Sequence, residues 1–104
     1  MKKSSETYYN RILKNIKTFV LEVFKDEDVK IILFGSGARG DFHRCSDIDI
    51  GIVPKNKYDK RKLILLRENL EEMNMPYKVD VVDISKVSKT FKDKALKEGE
   101  IWKN

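Results

Sequence analysis

Apolar residues recur at two different periods along this chain. Ile12, Ile16, Phe19, Val20 and Val23 return every three or four positions, which predicts an amphipathic helix from about Ser5 to Lys25 with one stripe turned to a core. Val29-Lys30-Ile31-Ile32-Leu33-Phe34 is a short apolar run and predicts a buried strand. From Ser46 to Val53 the period is two, so Ile48, Ile50 and Ile52 share one strand face while Asp47 and Asp49 project from the other. Leu63, Leu66, Leu70 and Met73 mark a second amphipathic helix, which Met75-Pro76 ends. Tyr77-Lys78-Val79-Asp80-Val81-Val82-Asp83 predicts a third strand, and the helix before it is a crossover long enough for parallel pairing. Lys89 to Glu98, patterned through Phe91, Ala95 and Leu96, predicts a last helix with Gly99 placed to cap it. The predicted fold is α/β, α+β in detail: a three-stranded mixed sheet packed with about four helices.

Two carboxylates on one face of a half-apolar strand are costly unless cations sit there. Magnesium favours carboxylate oxygens and takes its remaining ligands from water and substrate phosphates, so Asp47 and Asp49 suit a phosphoryl- or nucleotidyl-transfer site. Charges on a solvent-exposed edge strand are the plain alternative. The preceding Gly35-Ser36-Gly37-Ala38-Arg39-Gly40 matches the dinucleotide fingerprint, but only Asp41 to Cys45 separate it from the next strand, too few for the crossover helix of a Rossmann unit. No Gly-Lys-Ser/Thr closes the run, which excludes a P-loop. What remains is a short turn whose backbone amides and Ser36 hydroxyl can cradle phosphate.

Gly35-Ser36, ten residues, then Asp47-Ile48-Asp49 and the apolar Ile50-Gly51-Ile52-Val53 resembles the signature of the DNA polymerase β-like nucleotidyltransferase superfamily, specifically its minimal nucleotidyltransferase branch. The likeness extends to the third strand, where Asp80 stands in the Val-Asp-hydrophobic context of the family's third acid, and to the tail Lys97-Glu98-Gly99-Glu100-Ile101. Asp83 alternates to the opposite strand face. The resemblance implies that Asp47, Asp49 and Asp80 form the catalytic and metal-binding set for two magnesium ions, and that Gly35 and Ser36 bind the triphosphate of ATP. Arg39 is a further candidate for the phosphates, with a structural salt bridge or solvent exposure as its alternatives. One departure is Gly37, where relatives often carry a larger residue and glycine's freedom loosens the turn.

Composition narrows the picture further. The chain has 104 residues, 40% of them hydrophobic, with five phenylalanines, four tyrosines and one tryptophan, enough for one core and one domain spanning residues 1–104. One cysteine excludes an internal disulfide framework, and Cys45 with the single His43 cannot form a four-ligand structural zinc site. The net charge of +5 comes from lysines scattered from Lys2 to Lys103, a solvated basic surface rather than a nucleic-acid face. The densest group, Lys55, Lys57, Lys60, Arg61 and Lys62, follows Pro54 into a helix start and is given no role. No apolar run approaches the roughly 20 residues of a membrane helix, and Met1 to Thr7 lacks the apolar core of a signal peptide, so a cytoplasmic location is expected. For each of Tyr8, Tyr9, Tyr58, Tyr77 and Trp102 ordinary packing is expected over stacking a base or meeting a partner, with Trp102, beyond the last helix, the best placed among them for a contact.

The resemblance also implies a partner. Members of the branch pair with HEPN proteins, helical ribonuclease toxins, and some act as antitoxins by transferring AMP to a tyrosine of the toxin. The leading reading is therefore a magnesium-dependent protein adenylyltransferase antitoxin, with ATP as substrate and no nucleic acid or membrane required. The second is an antitoxin that neutralises its partner by contact alone, and the third a small-molecule or RNA nucleotidyltransferase.

Overall fold

Alternation along three strands decides the layers. The computed structural model describes residues 4–34, 47–73 and 77–104, the side chains of residues 4–7 and of Asp47 excepted. Helix α1 spans Ser4–Val23, strand β1 Val29–Phe34, strand β2 Asp47–Pro54, helix α2 Lys60–Glu72 and strand β3 Lys78–Asp83. A 3-10 turn at Ile84–Lys86, helix α3 at Lys89–Glu98 and strand β4 at Glu100–Lys103 complete the order. The sheet runs β3-β2-β1-β4, with β2 and β3 parallel and the other pairs antiparallel.

On one face of the sheet, Val29, Ile31 and Leu33 of β1 join Ile48, Ile50 and Ile52 of β2. They pack against Tyr9, Ile16 and Val20 of α1 and Leu63, Leu66 and Leu70 of α2. The stripes read from helical spacing are therefore the core faces, although Met73 sits at the C-cap of α2 and is exposed. The α1 helix ends two residues short of the expected Lys25. Phe24 still donates its N–H to the Val20 carbonyl at 3.1 Å before the chain turns. The opposite sheet face holds Ile32, Phe34, Val53 and Val82 beneath Ile84, Ala95 and Leu96. The result is three layers: α1 and α2, the sheet, then α3 with the 3-10 turn.

The sheet has four strands, not the expected three. β4 was hidden because it is only four residues long and its partner, β1, lies far away in sequence. Its register slips between Ile31 and Ile32, so that Ile32 pairs with Ile101 and Ile31 with Lys103, and Trp102 is the extra residue of a bulge. That bulge turns Trp102 into the core, where it is buried, with the Lys17 ammonium 5.9 Å from its ring centroid. Trp102 is thus a core residue, the ordinary packing expected of it, and the alternative of a partner contact falls away. Gly99 does cap α3, donating its N–H to the Ala95 carbonyl at 2.8 Å, but with φ −76° and ψ 152° it is extended rather than left-handed. The reason for glycine there is space: a Cβ would stand 2.6 Å from the Ala95 carbonyl oxygen and 3.2 Å from that of Leu33.

Candidate active site

Register brings two of the predicted acids together. Phe34 of β1 pairs with Asp49 of β2, and Asp49 pairs with Asp80 of β3, so Phe34, Asp49 and Asp80 form one row across three strands. Neighbouring strands lie about 4.8 Å apart. Asp49 is half-buried between the fully buried Ile48 and Ile50, whereas Asp80 is exposed. The row opens into a cleft of about 560 Å³ that Phe34, Asp49, Asp80, Arg67, Glu71 and Phe91 help to line. Asp47 begins β2, two residues before Asp49. Its side chain, and Gly35, Ser36 and Arg39 entirely, lie outside the described residues, as do His43 and Cys45. In sequence Gly35 directly follows Phe34, the residue paired with Asp49.

The donor chemistry fits a hard divalent cation. Like charges opposite one another on adjacent strands are mutually destabilising, and a cation held by carboxylate oxygens removes that cost. Among the described residues no cluster of three or more histidines, cysteines or carboxylates could hold a metal. The third carboxylate of the expected set is Asp47.

Asp83 has a different job, as its opposite strand face predicted. It is buried and accepts from the Tyr58 hydroxyl at 2.7 Å, the Ser85 N–H at 2.9 Å and the Ser85 hydroxyl at 2.6 Å. Burial works to raise its pKa, but these hydrogen bonds outweigh it and hold the carboxyl below the usual range. Tyr58, half-buried and donating to that carboxylate, is pushed well above the ordinary phenol value by desolvation and by that hydrogen bond. Tyr9 and Tyr77 meet edge-on at 5.2 Å between ring centroids, again as packing.

Two members of the basic cluster brace α2. Lys62 pairs with Glu27 at 2.8 Å, and Arg61 bonds the N-capping Asp59 at 3.0 Å. The sequence reading missed Arg67. Its Nε and Nη2 donate to the Val81 carbonyl at 2.9 and 2.7 Å, which ties α2 to the outer edge of β3 beside Asp80. Spacing held the clue, since Arg67 lies four residues after Leu63 and three before Leu70, on the inward stripe.

With that geometry in view, a family model described as polymerase beta, nucleotidyltransferase, matches residues 14–103. The chain belongs to the polymerase β nucleotidyltransferase family. Among curated relatives, a protein of Methanocaldococcus jannaschii assigned as a protein adenylyltransferase is 39% identical over 56 residues, 51% of this chain and 57% of that protein. The MntA protein of Haemophilus influenzae, assigned likewise, is 28% identical over 78 residues, 75% of this chain and 67% of its own length. The chain thus spans little more than half of the archaeal relative. Among solved structures, a toxin–antitoxin complex with AMP-PNP contains a chain similar at a TM-score of 0.63 and 26% identity, with 83% of this chain and 71% of that one covered. The complex of a tri-AMPylated Shewanella oneidensis HEPN toxin with its MNT antitoxin shares the fold at a TM-score of 0.59 and 21% identity, covering 86% of this chain and 70% of the other. This polymerase β nucleotidyltransferase domain accordingly has the mixed α/β fold expected. Among its described residues no helix is long and apolar enough to cross a membrane.

Proposed function

We propose that this polymerase β nucleotidyltransferase is a magnesium-dependent protein adenylyltransferase that transfers AMP from ATP to a tyrosine of a HEPN toxin and so acts as its antitoxin. The observation that carries the reading is the parallel register of Asp49 with Asp80, in the row that Phe34, the last residue of β1, completes. The relatives assigned as protein adenylyltransferases, and the complex with AMP-PNP, support the same chemistry. Magnesium bound by Asp47, Asp49 and Asp80 would supply charge neutralisation on the triphosphate and a lowered pKa for the attacking hydroxyl. The backbone amides of Gly35 and Ser36, with Arg39, hold the phosphates. The tyrosine Oη attacks the α-phosphorus, its proton passes to the Asp80 carboxylate, and the bond to the β-phosphate breaks to release diphosphate.

The test is the intact mass of a HEPN partner after incubation with this chain, ATP and magnesium. The reading expects the mass to rise by whole AMP units with the natural sequence and not with Asp47→Asn, Asp49→Asn. An unshifted mass despite a formed complex would replace it with neutralisation by contact.

A further inference from the structure

We infer that the outer edge of β3 is a docking groove for an acidic, extended segment of the protein acceptor, an inference that rests on the protein-substrate part of the proposed function. Arg67 and Val82 line both the cleft at the acid row and a second cavity, of about 270 Å³, to which Lys60 and Lys86 also contribute. That cavity shares Lys60, Tyr58 and Asp83 with a third, of about 490 Å³, which reaches Lys55 and Lys57. The three adjoin, and β3 is the outer strand of the sheet. One groove therefore runs from Asp49 and Asp80 along that strand and past its end. Asp80 and Asp83 are three residues apart on β3, about 10 Å along its axis, so the lysines begin at about that distance from the acid row.

Charge selects the occupant. Lys62, Arg61 and Lys89 are each held by a carboxylate, of Glu27, Asp59 and Asp93 respectively. Lys60 and Lys86 are exposed and make no ion pair among the described residues, and Arg67 spends its Nε and Nη2 on the neutral carbonyl of Val81. Past the acid row, five cations line the groove against two carboxylates, Glu71 at the near end and Asp83, which is buried and bound to Tyr58 and Ser85. Grooves for single-stranded nucleic acid add aromatic faces on which bases stack. The two basic cavities have one aromatic, Tyr58, whose hydroxyl is engaged by Asp83 and whose ring centroid lies 6.0 Å from that of Phe24. Leu63, Val82 and Val87 offer apolar contact to side chains instead. An extended peptide advances about 3.3 Å per residue, so an acceptor tyrosine at the acids sets positions roughly three to six residues away among Lys60 and Lys86. The acceptor that fits carries glutamate or aspartate there.

Calorimetry with the HEPN partner reads the groove whether or not transfer occurs. Lys60→Gln, Lys86→Gln is expected to raise the Kd for the partner about fivefold, the scale of two exposed charge pairs, and to leave the KM for ATP within about twofold. Lys60→Arg, Lys86→Arg should bind as the natural sequence does. Lys14→Gln, Lys92→Gln, which removes two exposed lysines of α1 and α3 outside these cavities, should leave the Kd unchanged. A hexaglutamate peptide should compete with the partner for the natural sequence and not for the Lys60→Gln, Lys86→Gln variant. No loss of affinity in that variant, an equal loss in the control pair, or a loss that the arginines do not restore would overturn the assignment. Competition by oligoadenylate but not by hexaglutamate would overturn it too, and give the groove to nucleic acid. A partner that binds in a Lys60- and Lys86-dependent way yet gains no AMP overturns the transfer reaction and leaves the groove standing, whereas one that is modified with affinity independent of both lysines overturns only the groove. A partner that does not bind the natural sequence overturns both.

Discussion

Gly99 and Gly51 differ in what a methyl group would strike. At Gly99 the obstacle is backbone, the carbonyl oxygens of Ala95 and Leu33, which cannot retreat without loosening the end of α3 or β1. At Gly51 it is the Ile84 side chain at 2.9 Å and that of Ile32 at 3.1 Å, and side chains can rotate. Gly99→Ala should therefore cost about 2 kcal/mol and Gly51→Ala about half that, read as shifts of the urea midpoint at constant slope. Asp83 makes a second prediction at this scale. Its folded pKa lies below that of the unfolded chain, so its contribution to stability is fully present above the unfolded value of about 4 and is lost as pH falls through the folded value. Tyr58 has the opposite sign: its folded pKa is raised, so its contribution is complete below about pH 10 and is lost at higher pH. Tyr58→Phe removes one donor of three and should cost about 1.5–3 kcal/mol at neutral pH. Urea titrations between pH 7 and pH 3 should also show a shallower acid loss in that variant.

At the scale of elements, β4 depends on one side chain. Trp102, delivered to the core by the bulge, is the large residue that ties the last strand to α1, and Lys103 adds hydrogen bonds from its ammonium to the Glu27 and Val29 carbonyls at 3.1 and 3.2 Å. Trp102→Ala should cost about 3–5 kcal/mol in chemical denaturation. Hydrogen exchange should show the pairing amides of β4 losing protection before those of β2, which is flanked by two strands. Periodicity made α1, α2 and the first three strands legible, because each buries one stripe or face against a core that the same residues create. Four residues such as Glu100–Lys103 contain too little repetition to reveal a strand, and a bulge erases even that alternation.

For the whole molecule, the proposed function sets stability against activity at the acid row. Asp80 faces Asp49 across a parallel pair, so Asp80→Asn should raise the thermal midpoint in metal-free buffer while abolishing transfer to the partner. Differential scanning calorimetry with and without magnesium checks the first half: the natural sequence should gain from the ion and the variant should gain less. An unchanged or lowered midpoint for Asp80→Asn without metal would show that the opposition carries no cost.

Sequence alone determined the helices, the three longer strands, the pairing of acids at alternate positions in β2 and the family signature, because all of these follow from local period and spacing. Only the tertiary structure decided that Phe34, Asp49 and Asp80 share one row and that Phe91 from α3 backs it. It also decided that Arg67 anchors to the edge of β3 and that Trp102 is core rather than surface. Those facts depend on strand register and helix packing between residues far apart in the chain, and no local pattern encodes which distant backbone a strand will meet.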